Sequence, residues 1–296
     1  KAADTPEKRR GVGIAWGGFN VTEGGGDSAE VALELMPGNK IRKYDTWHAM
    51  GQGATTGSLV VTLEALKEMH LTPEDIQLIQ NDTKTCPDTG MAGASRSLYM
   101  DGNATIIAAN KLLAAMRKED GTLRTYDEMK AEGIETKYLG RYETNTTPGL
   151  CRLDPNTGIG DPTPAFTYCL NLAEVEVDTK TGKTTVLKFT CVDFVGRIGN
   201  IDAVNGQAYS GIMHGIGFAL KEDYADVKKH ANMFGAGTSY IKDVPDDINL
   251  IHIDGAISDG PFGSSGASEA FQASGHCAVL NGIYNACGVR IHEIPA

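Results

Sequence analysis

Glu269 is a candidate general base. It ends the run Gly260-Pro-Phe-Gly-Ser-Ser-Gly-Ala-Ser-Glu269, a loop rich in glycine and serine, and an apolar stretch of helical character, Ala270 to Cys287, follows at once. A carboxylate carried on such a loop can take a proton from a bound nucleophile. Gly263 and Gly266 let the backbone approach a ligand closely. A glutamate at a helix start also stabilises the helix dipole and caps free N–H groups, so the residue alone does not separate base from cap.

Three further junctions carry polar groups at helix starts. Trp47-His48-Ala49-Met50-Gly51-Gln52-Gly53-Ala54-Thr55-Thr56-Gly57 lies between a strand and a helix. Freed backbone N–H groups there form a natural anion site, and Gln52 can offer an amide to a polar ligand. A tight turn around a buried glutamine would read the same way. No Lys-Ser/Thr follows, so this is not a P-loop, and the G-x-G-x-x-G fingerprint is absent. The second junction, Thr89-Gly-Met-Ala-Gly93-Ala94-Ser95-Arg96-Ser97, precedes a long helix. A cation at a helix start is unfavourable unless an anion joins it, which makes Arg96 a candidate phosphate ligand; a helix capped by Ser95 is the plain alternative. In the third, Asn205-Gly206-Gln207, Gln207 and His214 share one helix face. A satisfied buried polar group is the commoner reason for either. His48, His276 and His292 have no metal-ligand spacing with one another, and no metal ligand is expected among them.

Composition bounds the class. The 296 residues include 41% hydrophobic and 22% charged residues, which describes a globular protein with ample core. The net charge of −11 argues against nucleic acid or an anionic membrane as main partner. No apolar run approaches a membrane span and no signal-like segment opens the chain. The six cysteines are scattered without a C-x-x-C clip, which fits free thiols in a reducing cytoplasm rather than a local zinc or iron–sulfur site. The chain lacks an initiator Met and reads like a piece of something larger.

Periodicity supplies the elements that must position these residues. Strands are expected over Gly11–Gly17, Ala29–Met36, Ile41–His48, Ile76–Gln80 and Ile248–Asp254, with a hairpin of Leu170–Asp178 and Lys183–Val195. Helices are expected over Ser58–Met69, Ser97–Arg117, Asp202–Leu220 and Ala270–Cys287, the last stopped by Gly288. Thr125-Tyr-Asp-Glu128 fits a capping box that opens a short helix. Gly140–Pro164 reads as a long loop that could join two subdomains, 1–139 and 165–296. Without a regular βαβ rhythm the expected class is α+β, mixed strands and long helices. No repeat of fixed period is visible.

Taken in order, Met50-Gly-Gln-Gly-Ala, Ala92-Gly-Ala-Ser-Arg96, Asn205-Gly-Gln-Ala-Tyr-Ser-Gly with His-Gly-Ile-Gly-Phe-Ala-Leu220, and the Glu269 loop resemble the xanthine oxidase family of molybdenum hydroxylases. The opening Arg10-Gly-Val-Gly-Ile-Ala-Trp-Gly-Gly-Phe-Asn-Val-Thr-Glu23 and the ending Gly288-Val-Arg-Ile-His-Glu-Ile-Pro-Ala296 are similar to its bacterial aldehyde oxidoreductases, in the carboxy-terminal part of the molybdenum-binding region. The resemblance covers essentially the whole chain, so that 1–296 would be one molybdopterin-binding region. It implies a molybdenum–molybdopterin cytosine dinucleotide at the interface of two molybdenum-binding domains. Gly51, Gln52, Gly53 and Ala54, with His48 beside them, and Gly93, Ala94, Ser95 and Arg96 would hold the pterin and pyrophosphate. Gln207 would hydrogen-bond the cofactor; Gly266, Ala267 and Ser268 would pass beside the metal.

By the same resemblance Glu269 would be the base that deprotonates the oxygen attacking an aldehyde carbon, giving a carboxylate. Electrons would leave by [2Fe-2S] clusters in partner domains or subunits, within a homo-oligomeric assembly. Hydroxylation of a purine or another N-heterocycle, and a non-catalytic assembly module, are the alternatives. This sequence departs from the pattern at His214, where relatives often carry Gln, and at Ala270-Phe271-Gln272, which replaces a more apolar stretch.

Overall fold

Strands β1 (Lys8–Val21), β2 (Ser28–Met36), β3 (Lys40–Asp45) and β4 (Ile76–Gln80) occupy the first part of the chain, with helix α1 (Ala54–Ala65) between the last two. Helices α2 (Ser97–Met116) and α3 (Tyr126–Ala131), then strands β5 (Lys137–Glu143), β6 (Ala165–Asp178) and β7 (Thr184–Phe194), follow. The rest is α4 (Ile201–Leu220), β8 (Asp247–His252), α5 (Ser268–Gln272) and α6 (Gly275–Cys287). The structure is a computed structural model, and it describes residues 4–22, 26–144, 153–160, 162–257 and 259–296. Among them no helix is long and apolar enough to cross a membrane.

The strands form two four-stranded sheets, in the orders β4-β3-β2-β5 and β8-β7-β6-β1. The two are built alike. Each has a central antiparallel hairpin, β2–β3 or β6–β7. A helix then carries the chain from β3 to parallel β4, or from β7 to parallel β8. An antiparallel strand completes the other edge, β5 against β2 and β1 against β6. In the second sheet that strand is the first of the chain rather than the last. The expected division at 1–139 and 165–296 therefore does not follow the sheets: β1 belongs to the second, and β5 extends the first to Glu143. This permutation hides the shared topology from a search by period.

Each sheet packs one face on a helix through glycines that bring backbone onto backbone. A Cβ on Gly140 of β5 would lie 2.0 Å from the Ala104 carbonyl oxygen of α2, and one on Gly13 of β1 would lie 2.0 Å from that of Ala278 of α6. Gly140 reads in sequence as loop punctuation; it is a close-approach glycine inside a strand. Residues 145–152 and 161 of the expected loop lie outside the described residues. One core gathers Leu33, Leu35, Leu112 and Met116, the other Val175, Phe189, Ile212 and Phe271. A third cluster, including Val21, Ala165 and Tyr99, joins the halves.

Two helices differ from expectation. α1 starts one turn early, immediately after Gly53, whose φ of 88° is left-handed and open to glycine. The expected helix Ala270–Cys287 is two helices, α5 and α6, broken at Ala273–Ser274. The capping box of α3 forms, with the Thr125 hydroxyl accepting from the Glu128 N–H, and Gly288 at φ 74° ends α6.

Candidate functional site

Three long helices start around one cavity of about 750 Å³, lined by residues of both halves. The start of α1 contributes Gln52, Gly53 and Ala54, that of α2 contributes Ser95, Ser97 and Leu98, and that of α4 contributes Asn200 and Ala203. Neither α1 nor α2 has a side-chain cap. Their first N–H groups therefore remain open to an acceptor, and two helix dipoles favour negative charge there. α4 is capped by Asn200, which accepts from the Ala203 N–H at 3.0 Å. Ala94 and Ser95, before α2, both take left-handed backbone with φ of 48° and 49°. Such strain in consecutive non-glycine residues persists only where the surroundings impose it. The neighbouring loop supplies that pressure: a Cβ on Gly266 would lie 1.8 Å from the Ser95 carbonyl oxygen.

Glu269 lies where these two loops meet. Its Oε1 accepts the Ser95 backbone N–H at 3.2 Å, and its Oε2 accepts the Ser95 hydroxyl. The carboxylate thus reaches across to another loop rather than capping its own short helix, and it lines the cavity. Behind it, Ala270 and Phe271 are fully buried. Phe271 presses on Gly211 of α4, where a Cβ would approach the phenylalanine Cβ to 2.5 Å. The contact fixes the orientation of α5 and so of Glu269.

Of the residues expected from sequence, Gln52, Gly53, Ala54, Gly93, Ser95, Gln207, Gly266, Ala267, Ser268 and Glu269 line the cavity together. Gln207 accepts the Ser268 hydroxyl at 2.8 Å through its Oε1; its NH2 has no partner among the described residues. Gln52 is braced within its own loop, donating to the His48 carbonyl at 2.7 Å and accepting from the Met50 N–H at 2.5 Å.

His48, Gly51, Ala94 and Arg96 are not among the lining residues. His48 and Gly51 are exposed, and the Ala94 carbonyl accepts from the Thr22 N–H at 3.0 Å. At Arg96 the structure shows a protein anion. The anion that joins its guanidinium is Asp27, held through Nε at 2.6 Å and Nη2 at 2.8 Å. The carbonyls of Thr89, Met91 and Ser28 take the remaining three N–H groups. All five donors are occupied in this structure.

Arg197, Asn200 and Ser265 are among the cavity residues that were not singled out from sequence. Arg197 is exposed, lines the cavity and has no ion-pair partner among the described residues. The signal was available, because Gly196-Arg-Ile-Gly199 links β7 to α4 as the other glycine junctions link strand to helix. Asn200, the cap of α4, is the second. Ser265 is the third: its hydroxyl is buried without a hydrogen-bond partner in the cavity wall. An orphaned buried hydroxyl is costly, which suits a surface completed by a ligand.

Equivalent aspartates support the cavity from each half. Asp45 ends β3 opposite Gln80 of β4, and Asp193 nearly ends β7 opposite His252 of β8. Asp45 accepts from Ser58, one turn into α1, at 2.7 Å and from Gln80 at 2.8 Å. Asp193 meets His252 at 2.8 Å, and His252 meets Asn205, one turn into α4, at 2.8 Å. Each set ties the start of a cavity helix to its parallel strand pair. Burial pushes the Asp193 carboxyl upward, opposed by His252. Behind Asp45 the fully buried Lys43 ammonium reaches Asp101 at 2.7 Å and Asp45 at 3.3 Å.

The family model of the molybdopterin cofactor-binding domain matches residues 1–245. The chain is 40% identical over 292 residues to the aldehyde oxidoreductase of Megalodesulfovibrio gigas, covering 99% of this chain and 32% of that protein. A probable hypoxanthine oxidase of Escherichia coli is 28% identical over 262 residues, which cover 83% of this chain and 27% of the relative. The chain thus spans about a third of the length of these curated relatives. The crystal structure of the aldehyde oxidoreductase from Desulfovibrio desulfuricans superimposes with a TM-score of 0.95 at 42% identity, over 99% of this chain and 32% of that one. With the motifs of both halves meeting around one cavity, the chain belongs to the molybdopterin cofactor-binding domain family, within the xanthine oxidase family of molybdenum hydroxylases.

Proposed function

We propose that this chain is the cofactor-binding catalytic portion of a molybdenum-dependent aldehyde oxidoreductase. The reaction takes an aldehyde and water to a carboxylic acid, releasing two protons and two electrons. Clusters of the [2Fe-2S] type in other domains or subunits receive the electrons. The cofactor is molybdenum–molybdopterin cytosine dinucleotide, and residues 1–296 act as one carboxy-terminal binding region. A homo-oligomeric assembly in the cytoplasm completes the reading; free thiols at Cys277 and Cys287, both exposed, are compatible with that compartment.

The cavity residues fit such a cofactor. The uncapped starts of α1 and α2 suit a pyrophosphate, and Arg197 adds a cation with no ion-pair partner among the described residues. The Gln207 NH2 and the orphaned Ser265 hydroxyl offer polar contacts to a pterin. When bound, the cofactor supplies the two-electron redox chemistry. Glu269 takes the proton from the attacking oxygen, while Ser95 holds the carboxylate toward the cavity. The observation that carries the reading is the Glu269 carboxylate, fixed across two loops in the wall of this cavity.

The test is metal and pterin analysis of the intact assembly, together with aldehyde-dependent dye reduction. Molybdenum, a cytosine dinucleotide and aldehyde oxidation support the proposal. Turnover of purines or other N-heterocycles instead of aldehydes would replace the substrate class and keep the cofactor. An intact assembly without molybdenum or pterin would reduce the chain to an assembly module.

A further inference from the structure

The loop that ends in Glu269 opens on a tight turn, Gly260–Ser264. The Gly263 N–H donates to the Gly260 carbonyl and the Ser264 N–H to the Pro261 carbonyl, both at 2.9 Å. Little in this turn can move. A Cβ on Gly260 would lie 1.9 Å from the Ser264 carbonyl oxygen. Pro261 is buried against α2, where a Cβ on Gly102 would come within 2.5 Å of its ring. Gly263 takes a φ of 85°, and its carbonyl accepts from the Arg197 N–H at 2.9 Å and the Ile257 N–H at 3.0 Å.

Between these fixed neighbours Phe262 adopts left-handed backbone, with φ 55° and ψ 22°. For a bulky residue that is an outlier, whereas glycine would take the same angles without strain. Strain of this kind persists where the surroundings over-determine the backbone, and it gathers at ligand clamps. Its consequence here is the placement of a ring: Phe262 is 38% exposed and lines the cavity. Three residues on, Ser265 stands in the same wall, 4% exposed, with its hydroxyl buried and without a hydrogen-bond partner. One loop thus presents an open aromatic face and an unpaired hydroxyl to one cavity. A flat ring that carries a polar group satisfies both.

We propose that Phe262 is a ligand-contact residue that stacks on a planar conjugated ring bound in the cavity, with the Ser265 hydroxyl meeting a polar group of the same ligand. The inference rests on the reading of the chain as the catalytic portion of a molybdenum hydroxylase, which offers two sources of such a ring: the pterin of the cofactor and an aromatic aldehyde. The turn is placed for either. Ser264 bridges to Gly196, so the ring stands at the seam between the Glu269 loop and the connection from β7 to α4. Glu269 closes the same loop seven residues later.

The experiment uses the complete enzyme carrying Phe262→Leu, Phe262→Tyr or Phe262→Gly. Leucine keeps an apolar side chain without a flat face, tyrosine keeps the ring, and glycine removes the ring together with the backbone strain. Two quantities are read on each: the rate at which pterin fluorescence appears in the filtrate under mild urea, and the ratio of kcat/KM for benzaldehyde to that for butanal. A change of about tenfold in one of them is expected for the leucine and glycine variants, with the tyrosine variant close to wild type. Faster pterin release at an unchanged ratio identifies the cofactor ring. A fallen ratio at unchanged release identifies the substrate ring. Leucine and glycine variants that match wild type in both readouts would overturn the proposal, and so would a tyrosine variant as impaired as the leucine one, since packing rather than stacking would then be at work. Molybdenum and pterin are measured in the wild-type enzyme alongside. Their absence there removes the functional reading, whereas their presence with unaffected variants removes the Phe262 contact alone.

Discussion

The Glu269 carboxylate is held by Ser95, a residue 174 positions away in the chain, through both its backbone N–H at 3.2 Å and its hydroxyl. This contact gives the two readings of Glu269 different consequences. A helix cap would be replaceable by glutamine at a small cost in stability. A base would not, because the amide cannot accept a proton. Glu269→Gln in the complete enzyme is expected to lower kcat by about 10²- to 10⁴-fold with molybdenum content unchanged. Full activity in that variant would return Glu269 to a structural role. Ser95→Ala keeps the backbone donor and loses one hydrogen bond to a charged acceptor, so a loss of about tenfold in kcat/KM is expected.

Gly266 is the point at which the loop bearing Glu269 touches the loop bearing Ser95. A methyl group there would meet the Ser95 carbonyl oxygen at 1.8 Å, and backbone cannot swing aside as a side chain can. Gly266→Ala should destabilise the protein by about 1–3 kcal/mol and separate Ser95 from Glu269. Thermal melting and molybdenum analysis of the purified enzyme would check this. An unchanged melting temperature with full occupancy would mean that the loops are less tightly held than the geometry states.

The legible and hidden parts of this fold differ for physical reasons. β6 alternates buried and outward residues over its whole length, and such period-two patterns survive in sequence. The α3 capping box is likewise local. β5 was hidden because Gly140 looks like a break, although it is the residue that lets the strand lie on α2. The break between α5 and α6 falls among Ala273, Ser274 and Gly275, residues that suit a helix as readily as a loop. Ten of the residues singled out by motif order line the cavity. Side-chain direction was out of reach, because the anion that meets Arg96 is Asp27, 69 positions earlier.

In this structure Arg96 serves the loop that carries it. Its five donors join Asp27 and three carbonyls and hold the 89–96 loop closed. Lysine cannot reproduce that fork. Arg96→Lys is expected to cost about 2 kcal/mol or more in urea unfolding, and the loss should be present in cofactor-free protein. A defect appearing only in cofactor affinity, with apo stability intact, would restore Arg96 as a phosphate ligand.

The buried Lys43–Asp101–Asp45 set predicts a pH dependence of opposite sign to the usual carboxylate case. Burial raises the Asp101 carboxyl to about 6, although Lys43 opposes the shift, and nearby Asp45 adds to it. One Asp101 oxygen also has no hydrogen-bond partner. Between the unfolded value near 4 and the folded value near 6, the folded protein binds more protons at this site than the unfolded chain. Its contribution to stability must then fall as pH rises through that window. Asp101→Asn should remove this component, so that the urea midpoint of the variant falls less steeply, or rises more, than wild type from pH 4 to 6. Identical slopes would place the proton elsewhere. Lys43→Met leaves two buried carboxylates facing each other without a cation and should cost about 3–5 kcal/mol, a loss expected to ease toward low pH as Asp101 protonates.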